Sequence, residues 1–267
     1  MEKFVVFDSL KYPFPPMKFL YTVCLLALSS SLFAQLDSAL IAKYYFNGGN
    51  ANDDHTGGYH GTVTSASLSA DRFGNADKAY SFDGVDDYIT LGDSAFRMGT
   101  SDFAFSFWIA VQDSQYSMVF SKFHDADAGA LHYRQYNIFM NSATLLGNTG
   151  KYLWSYQYAQ QSGSCDGALS NELTNNWHHV VVNFDQGNEV TCYVDNVLVY
   201  SVAASSCTED FDVPNYPLVI GNRYALQDMF FSGEIDDVRI YRRLLTAGDV
   251  DSLYNEPAPT VVPIGIE

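Results

Sequence analysis

The chain reads as an all-β protein, a two-sheet antiparallel sandwich with one short C-terminal helix. Three observations carry that reading. Apolar and polar residues alternate with period two in run after run, short turns such as Asp83-Gly84 and Asp195-Asn196 separate the runs, and only one stretch, near the end, has the chemistry of a helix start.

The first strand is expected at residues 42–46, followed by a polar, glycine-rich loop that runs from Asn47 to Gly61. Short strands are expected at 78–82, 88–91 and 103–111. Residues 177–184, 190–194 and 197–201 form a three-strand meander, because Asp195-Asn196 tolerates the left-handed backbone of a two-residue hairpin. The last strand lies within 230–241. Strict alternation there places Asp236 on one face with Val238 and Ile240, and Ile235, Asp237, Arg239 and Tyr241 on the other. Thr246, with Asp249 three residues later, is a capping pair that opens a helix through Val250, Leu253 and Tyr254.

Composition narrows the class. Aromatics at 15% and charged residues at 17% fit a well-packed globular domain. The 31 acidic against 14 basic residues argue against nucleic acid as a partner, since phosphate recognition needs a basic footprint. Divalent cations, neutral glycans and basic proteins stay open.

Residues 1–34 read as a leader, with a signal peptide at 17–34. Lys18 precedes an apolar run through Leu28, and small residues lead to a cut after Ala34. That run is shorter than the roughly 20 residues needed to cross a bilayer, so no membrane span is expected. The domain is expected at 35–256 and a Pro-rich tail or linker at 257–267. In an exported chain Cys165, Cys192 and Cys207 allow three pairings. Cys192 shares a strand face with Val190 and Val194, which suggests a buried thiol and favours a Cys165–Cys207 disulfide.

Several ordered motifs resemble one family. They are Tyr45-Phe46-Asn47-Gly48; Asp71-Arg72-Phe73-Gly74; Tyr80-Ser81-Phe82-Asp83-Gly84-Val85-Asp86-Asp87-Tyr88; Phe105-Ser106-Phe107-Trp108; Trp177-His178-His179-Val180; Tyr193-Val194-Asp195; and the run from Gly233 to Tyr241. Together, over residues 42–256, they resemble the laminin-G-like domains of the concanavalin A-like lectin/glucanase superfamily found in secreted bacterial proteins. The resemblance implies a jelly-roll sandwich, a carbohydrate-binding or adhesion role, and a structural calcium where the first long loop meets the last strand.

Carried onto this sequence, the resemblance makes Asp53 and Asp236 the expected Ca2+ ligands. Asp54 is an alternative to Asp53, and carbonyls of the 47–61 loop complete the shell. The chemistry is compatible, because calcium takes about six to eight oxygens from carboxylates and flexible carbonyl-rich loops. The alternative is that these are turn residues making Asx-type hydrogen bonds.

The superfamily's glucanases need two catalytic carboxyls about 5 Å apart. Here Glu234-Ile235-Asp236 is followed by Arg239 where the second carboxyl belongs, so hydrolysis is not expected. Tyr152, Trp154, Tyr156 and Tyr158 fall at period two and form an aromatic stripe that suits either sugar faces or the core. Trp108 and Trp177 are expected in the core. The six histidines lack zinc spacing, and His178 and His179 point to opposite faces. The expectation is a secreted, non-catalytic module that binds a glycan or a cell-surface or matrix component. A glycoside hydrolase and a purely structural or protein-adhesion domain are the alternatives.

Overall fold

The computed structural model describes residues 36–124, 133–141, 151–159, 163–164, 170, 172–203, 216–223 and 227–258. The chain divides into two units, Met1–Ser38 and Ala39–Glu267, and every element below belongs to the second. In chain order the strands are β1 (Leu40–Tyr44), β2 (Thr62–Thr64), β3 (Ser67–Ser69), β4 (Ala79–Asp83), β5 (Tyr88–Thr90), β6 (Phe103–Val111), β7 (Ser117–His124) and β8 (Tyr133–Asn141). They continue as β9 (Tyr152–Ala159), β10 (Gly163–Ser164), β11 (His178–Asp185), β12 (Glu189–Val194), β13 (Val197–Ala203), β14 (Val219–Ile220) and β15 (Ser232–Tyr241), with helix α1 at Ala247–Tyr254.

Two antiparallel sheets result. One runs β13-β12-β11-β6-β15-β4-β3, with β1 also paired to β15; the other runs β10-β9-β8-β7-β14-β5-β2. The jelly-roll reading of the sequence is therefore the observed architecture, and the meander β11-β12-β13 has the expected order. Its second turn works as expected too, since Asp195 and Asn196 have φ of 49° and 66°.

The inward faces supply the core. Phe103, Phe105, Phe107 and Ile109 of β6, Val180, Val182 and Phe184 of β11, and Phe120 and Tyr136 from the facing sheet are fully buried. Burying such a side chain stabilises the fold by about 1.5–3 kcal/mol. Phe103 stacks on Phe184 with centroids 4.5 Å apart, and the Tyr136 hydroxyl donates to the Phe96 carbonyl at 2.7 Å, so its polar tip is satisfied. Cys192 is free and buried, as expected; Cys165 and Cys207 lie outside the described residues.

The last strand departs from strict alternation. Asp236 pairs with Trp108 and Arg239 with Ser106, so three steps on β15 match two on β6. This β-bulge holds Asp237 in the left-handed region at φ 47°. One extra residue reverses the faces beyond it. Ile235, Val238 and Ile240 all enter the core, and Asp236 sits on the outer face with its partner Trp108. The expected grouping of Asp236 with Val238 and Ile240 is thus corrected, and so is a core position for Trp108, which is half-buried on the outer side. Trp177 is likewise only half-buried.

Helix α1 packs over that outer face. Thr246 and Asp249 form the expected capping box, with the Asp249 amide donating to Thr246 Oγ1 at 3.2 Å and the Thr246 amide donating to Asp249 Oδ2 at 2.9 Å. Val250 and Leu253 are buried, and Tyr254 stacks on Trp108 at 5.8 Å between centroids.

Candidate functional site

Asp236 and Asp53, the residues expected to share an ion, take different partners. Asp236 is 2% exposed, and its Oδ1 accepts the Asp237 amide at 2.7 Å. Its Oδ2 lies 4.0 Å from an Arg72 Nη1 that also pairs with Asp237. The Arg72 guanidinium lies over the rings of Phe73 (4.3 Å) and Trp108 (4.5 Å), and it donates to the Glu256 carbonyl at 3.3 Å. Arg239 joins the cluster by pairing with the Glu256 carboxylate and donating to the Tyr45 hydroxyl at 3.0 Å.

The electrostatics follow from burial. Desolvation pushes the Asp236 carboxyl up to about 8, although Arg72 and Arg239 pull the other way. Desolvation, with Arg239 and Arg72 adding to it, brings His179 down to about 3, so its imidazole is neutral. His179 Nε2 meets Ser106 Oγ at 2.9 Å on the same outer face.

Asp53 is buried in the first loop by main-chain donors. Its Oδ1 accepts the amides of Lys43 (3.0 Å) and His55 (2.9 Å), and its Oδ2 accepts the amide of Tyr59 (3.1 Å). Asp54 Oδ2 accepts the Tyr45 amide at 3.0 Å. This is the Asx-type alternative weighed from the sequence. These donor sets do not fit one calcium ion held jointly. The Asp53 oxygens are engaged by N–H groups, and Asp236 and Asp237 lie beside the Arg72 guanidinium, which repels a dication. Sequence reasoning missed Arg72. The signal was present, since a buried carboxylate needs a cation and Arg72 sits in one of the quoted motifs.

Among the described residues, the acidic side chains with metal-like spacing are Asp83, Asp86 and Asp87, whose oxygens lie within 4.8 Å of one another. Their bonds build a turn. Asp83 Oδ1 accepts the Val85 amide at 2.8 Å, Asp87 Oδ2 accepts the Asp83 amide at 2.7 Å, and Asp86 Oδ2 accepts the Ser65 hydroxyl at 3.2 Å.

Asp236 is buried beside Arg72, and Glu234, two residues before it, is half-buried. The array Thr174 Oγ1···His178 Nε2 (2.8 Å) and His178 Nδ1···Asp195 Oδ2 (2.7 Å) has the outline of a hydroxyl–imidazole–carboxylate relay. However, His178 Nε2 also accepts the Thr174 amide at 3.1 Å, and Thr174 Oγ1 accepts the Asn176 amide at 3.2 Å. The array locks the turn into β11.

For the aromatic stripe, the β9 residues with described side chains are Tyr152, half-buried, and Leu153 and Ser155, both buried. The side chains of Trp154, Tyr156 and Tyr158 lie outside the described residues. No helix among the described residues is long and apolar enough to cross a membrane.

The described residues form a two-layer jelly roll whose ionic clusters serve its own packing. A family model described as the concanavalin A-like lectin/glucanases superfamily, of laminin G type, matches residues 82–251, and the chain belongs to that family. Among solved structures it is similar to the binding domain of Paraclostridial mosquitocidal protein 1, at 16% identity over 82% of this chain and 52% of that one, with a TM-score of 0.63. It is similar to the botulinum neurotoxin serotype D binding domain at 13% identity, over 84% and 52%, with a TM-score of 0.61. It also resembles domain 4 of AbnA, an extracellular arabinanase from Geobacillus stearothermophilus solved with arabinotriose, at 23% identity over 80% and 98%, with a TM-score of 0.58. The chain spans about half the length of the two toxin binding domains. No curated protein matches it.

Proposed function

We propose that this chain is a secreted, non-catalytic module that binds carbohydrate. The observation that carries the reading is the likeness to AbnA domain 4, which this chain covers almost end to end and whose structure holds arabinotriose. The non-catalytic part is supported by Asp236, whose carboxyl is 2% exposed beside Arg72 and so out of reach of a substrate. Calcium has no part in this reading, because Arg72 supplies the positive charge that the last strand needs.

The test is a glycan array on the purified protein, followed by calorimetry with the best oligosaccharide and a hydrolysis assay on the same sugar. Binding without release of product is expected, and Tyr152→Ala with Trp154→Ala reports whether β9 forms the contact surface. A blank array, or steady release of reducing ends, would remove the proposal.

One observation favours a second reading, protein adhesion. β13 is an edge strand on which Val197, Leu198 and Tyr200 are exposed by 59%, 50% and 38%, and its outer backbone edge is a template for another strand. A blank glycan array together with loss of self-association or partner capture on Leu198→Lys would favour it.

A further inference from the structure

A polar groove lies at the rim of the sandwich, between the first long loop and the segment before β6. Two depressions, of about 420 and 500 Å³, meet at Ser94 and Arg242. Their volumes fall in the range of ligand sites, roughly 300–1,000 Å³. Residues 55–59 line one side and residues 97–101 the other.

Arg242 is the unusual residue here. It is exposed, and its guanidinium donates to the carbonyls of Ala95 (3.2 Å), Arg97 (3.1 Å) and Met98 (3.5 Å). Among the described residues no carboxylate pairs with it, although the chain carries 31 acidic residues against 14 basic ones. Three carbonyls fix the orientation of the fork without neutralising its charge, and Arg242 lines both depressions. Of the acids next in sequence to lining residues, Asp93 is tied to Arg97 and to Lys122 (2.8 Å), Asp54 accepts the Tyr45 amide at 3.0 Å and Asp102 accepts the Gln186 amide at 3.0 Å. A guanidinium charge fixed at the groove attracts a carboxylate, which the Nε–H or the remaining Nη1–H meets by a single charge-assisted hydrogen bond.

The same groove carries an aromatic platform. Tyr59 is 36% exposed, and its ring meets Phe96 edge-on at 5.9 Å. Its main chain is pinned by the amide bond to Asp53 (3.1 Å) and by the Tyr44 hydroxyl, which donates to the Tyr59 carbonyl at 2.6 Å. Gly57 lets the ring lie against the backbone, since a Cβ at Gly57 would fall 2.4 Å from a Tyr59 ring carbon. Ser94 and Thr100 add hydroxyls along the walls. A flat ring held beside a cation and hydroxyl groups is the donor set for a sugar ring that carries a carboxylate.

We propose that this rim groove binds an acidic sugar, with Arg242 holding the carboxylate and Tyr59 stacking on the ring. The proposal rests on the reading of the chain as a glycan-binding module and names the site and the ligand class. The formal charge of −17 repels long polyanions, so the groove suits a single terminal uronic-type residue on an otherwise neutral glycan.

The experiment pairs oligosaccharides ending in a uronic acid with counterparts ending in the matching neutral hexose, measured by calorimetry on the full chain. The acidic member is expected to bind more tightly. Arg242→Gln should cut its affinity by roughly tenfold or more and the neutral member's by clearly less, while Tyr59→Ala weakens both. Because Arg242 also holds three carbonyls, each variant's melting temperature is recorded. Ser94→Trp provides a second route, filling the junction of the two depressions without touching those bonds, and it should abolish binding of the acidic member. Equal affinity for the two members, or undiminished binding by Ser94→Trp, overturns the site and leaves the module reading standing. Failure of every sugar, neutral and acidic, overturns both.

Discussion

On the outer face of the eight-stranded sheet Arg72 and Arg239 meet Asp236, Asp237 and Glu256 and are sealed beneath α1, whereas at the rim Arg242 is exposed and, among the described residues, meets only carbonyls. The two places use the same side chain against opposite backgrounds. In the first, every charge has a partner of the opposite sign, and aromatic rings of Phe73 and Trp108 exclude water from the guanidinium. In the second, the geometry of the fork is fixed while its charge stays open to an incoming group. Paired and covered charge organises a fold, and oriented but unpaired charge is what recognition requires.

The largest effect that separates the two places is expected at Arg72. Arg72→Met keeps much of the stem that lies across Trp108 and removes the charge, leaving Asp237 buried without its cation. Breaking a buried ion cluster from one side costs about 3–5 kcal/mol. Urea unfolding of the two proteins reads this directly. A loss below about 1 kcal/mol, the size expected for an ordinary hydrogen bond, would show that Arg72 is not the organising charge.

A smaller effect, with a sign that can be worked out, belongs to Asp236. Its carboxyl has an ordinary value of 3.8, and burial pushes it up to about 8 in the folded chain. A raised folded value means that the native state holds the proton more firmly than the unfolded state does. The stabilisation is therefore complete below the unfolded value and is lost as pH rises toward about 8. His179 has the opposite sign. Its folded value is brought down to about 3 from 6.5, so it destabilises the fold as pH falls below 6.5. The two slopes oppose each other in mild acid, and between pH 6.5 and 8 Asp236 acts alone of the pair. Asp236→Asn keeps an oxygen for the Asp237 amide and has no proton to lose. The difference in melting temperature between wild type and variant should shift in favour of the variant across that window. A difference that does not change with pH would mean that Arg72 keeps Asp236 ionised throughout.

The features legible in the sequence are those set by local rules. The strand β6 with its Phe103, Phe105 and Phe107 stripe, the Asp195-Asn196 turn and the Thr246–Asp249 capping box each depend on residues a few positions apart, and each is found where the pattern places it. The features that were not legible depend on a choice the pattern does not encode. A left-handed Asp237 leaves no mark in an alternation of apolar and polar residues, yet it reverses the faces on which Asp236, Val238 and Ile240 lie. Trp108 reads as core because its neighbours are core. Its outward position is explained only by α1 and Arg72, which arrive from distant parts of the chain. Arg242 gave no signal in sequence because its significance is the lack of a carboxylate beside it among the described residues, a property of three-dimensional surroundings alone.

The smallest expected effect is a null one, and it sharpens the contrast between a fold organised by arginine and one organised by a metal ion. A structural calcium that bound only the native state would raise stability with ion concentration, by about 2.7 kcal/mol at a hundredfold excess over its dissociation constant. The main-chain donors around Asp53 and the guanidinium beside Asp236 leave those carboxylates already satisfied. Melting curves in EDTA and in millimolar calcium should therefore coincide for the wild-type chain. A melting temperature that climbs with calcium would assign the organising charge to the ion. Should Arg72→Met gain calcium dependence that the wild type lacks, the comparison becomes sharper still, because the guanidinium and the dication would then be shown to compete for the same carboxylates.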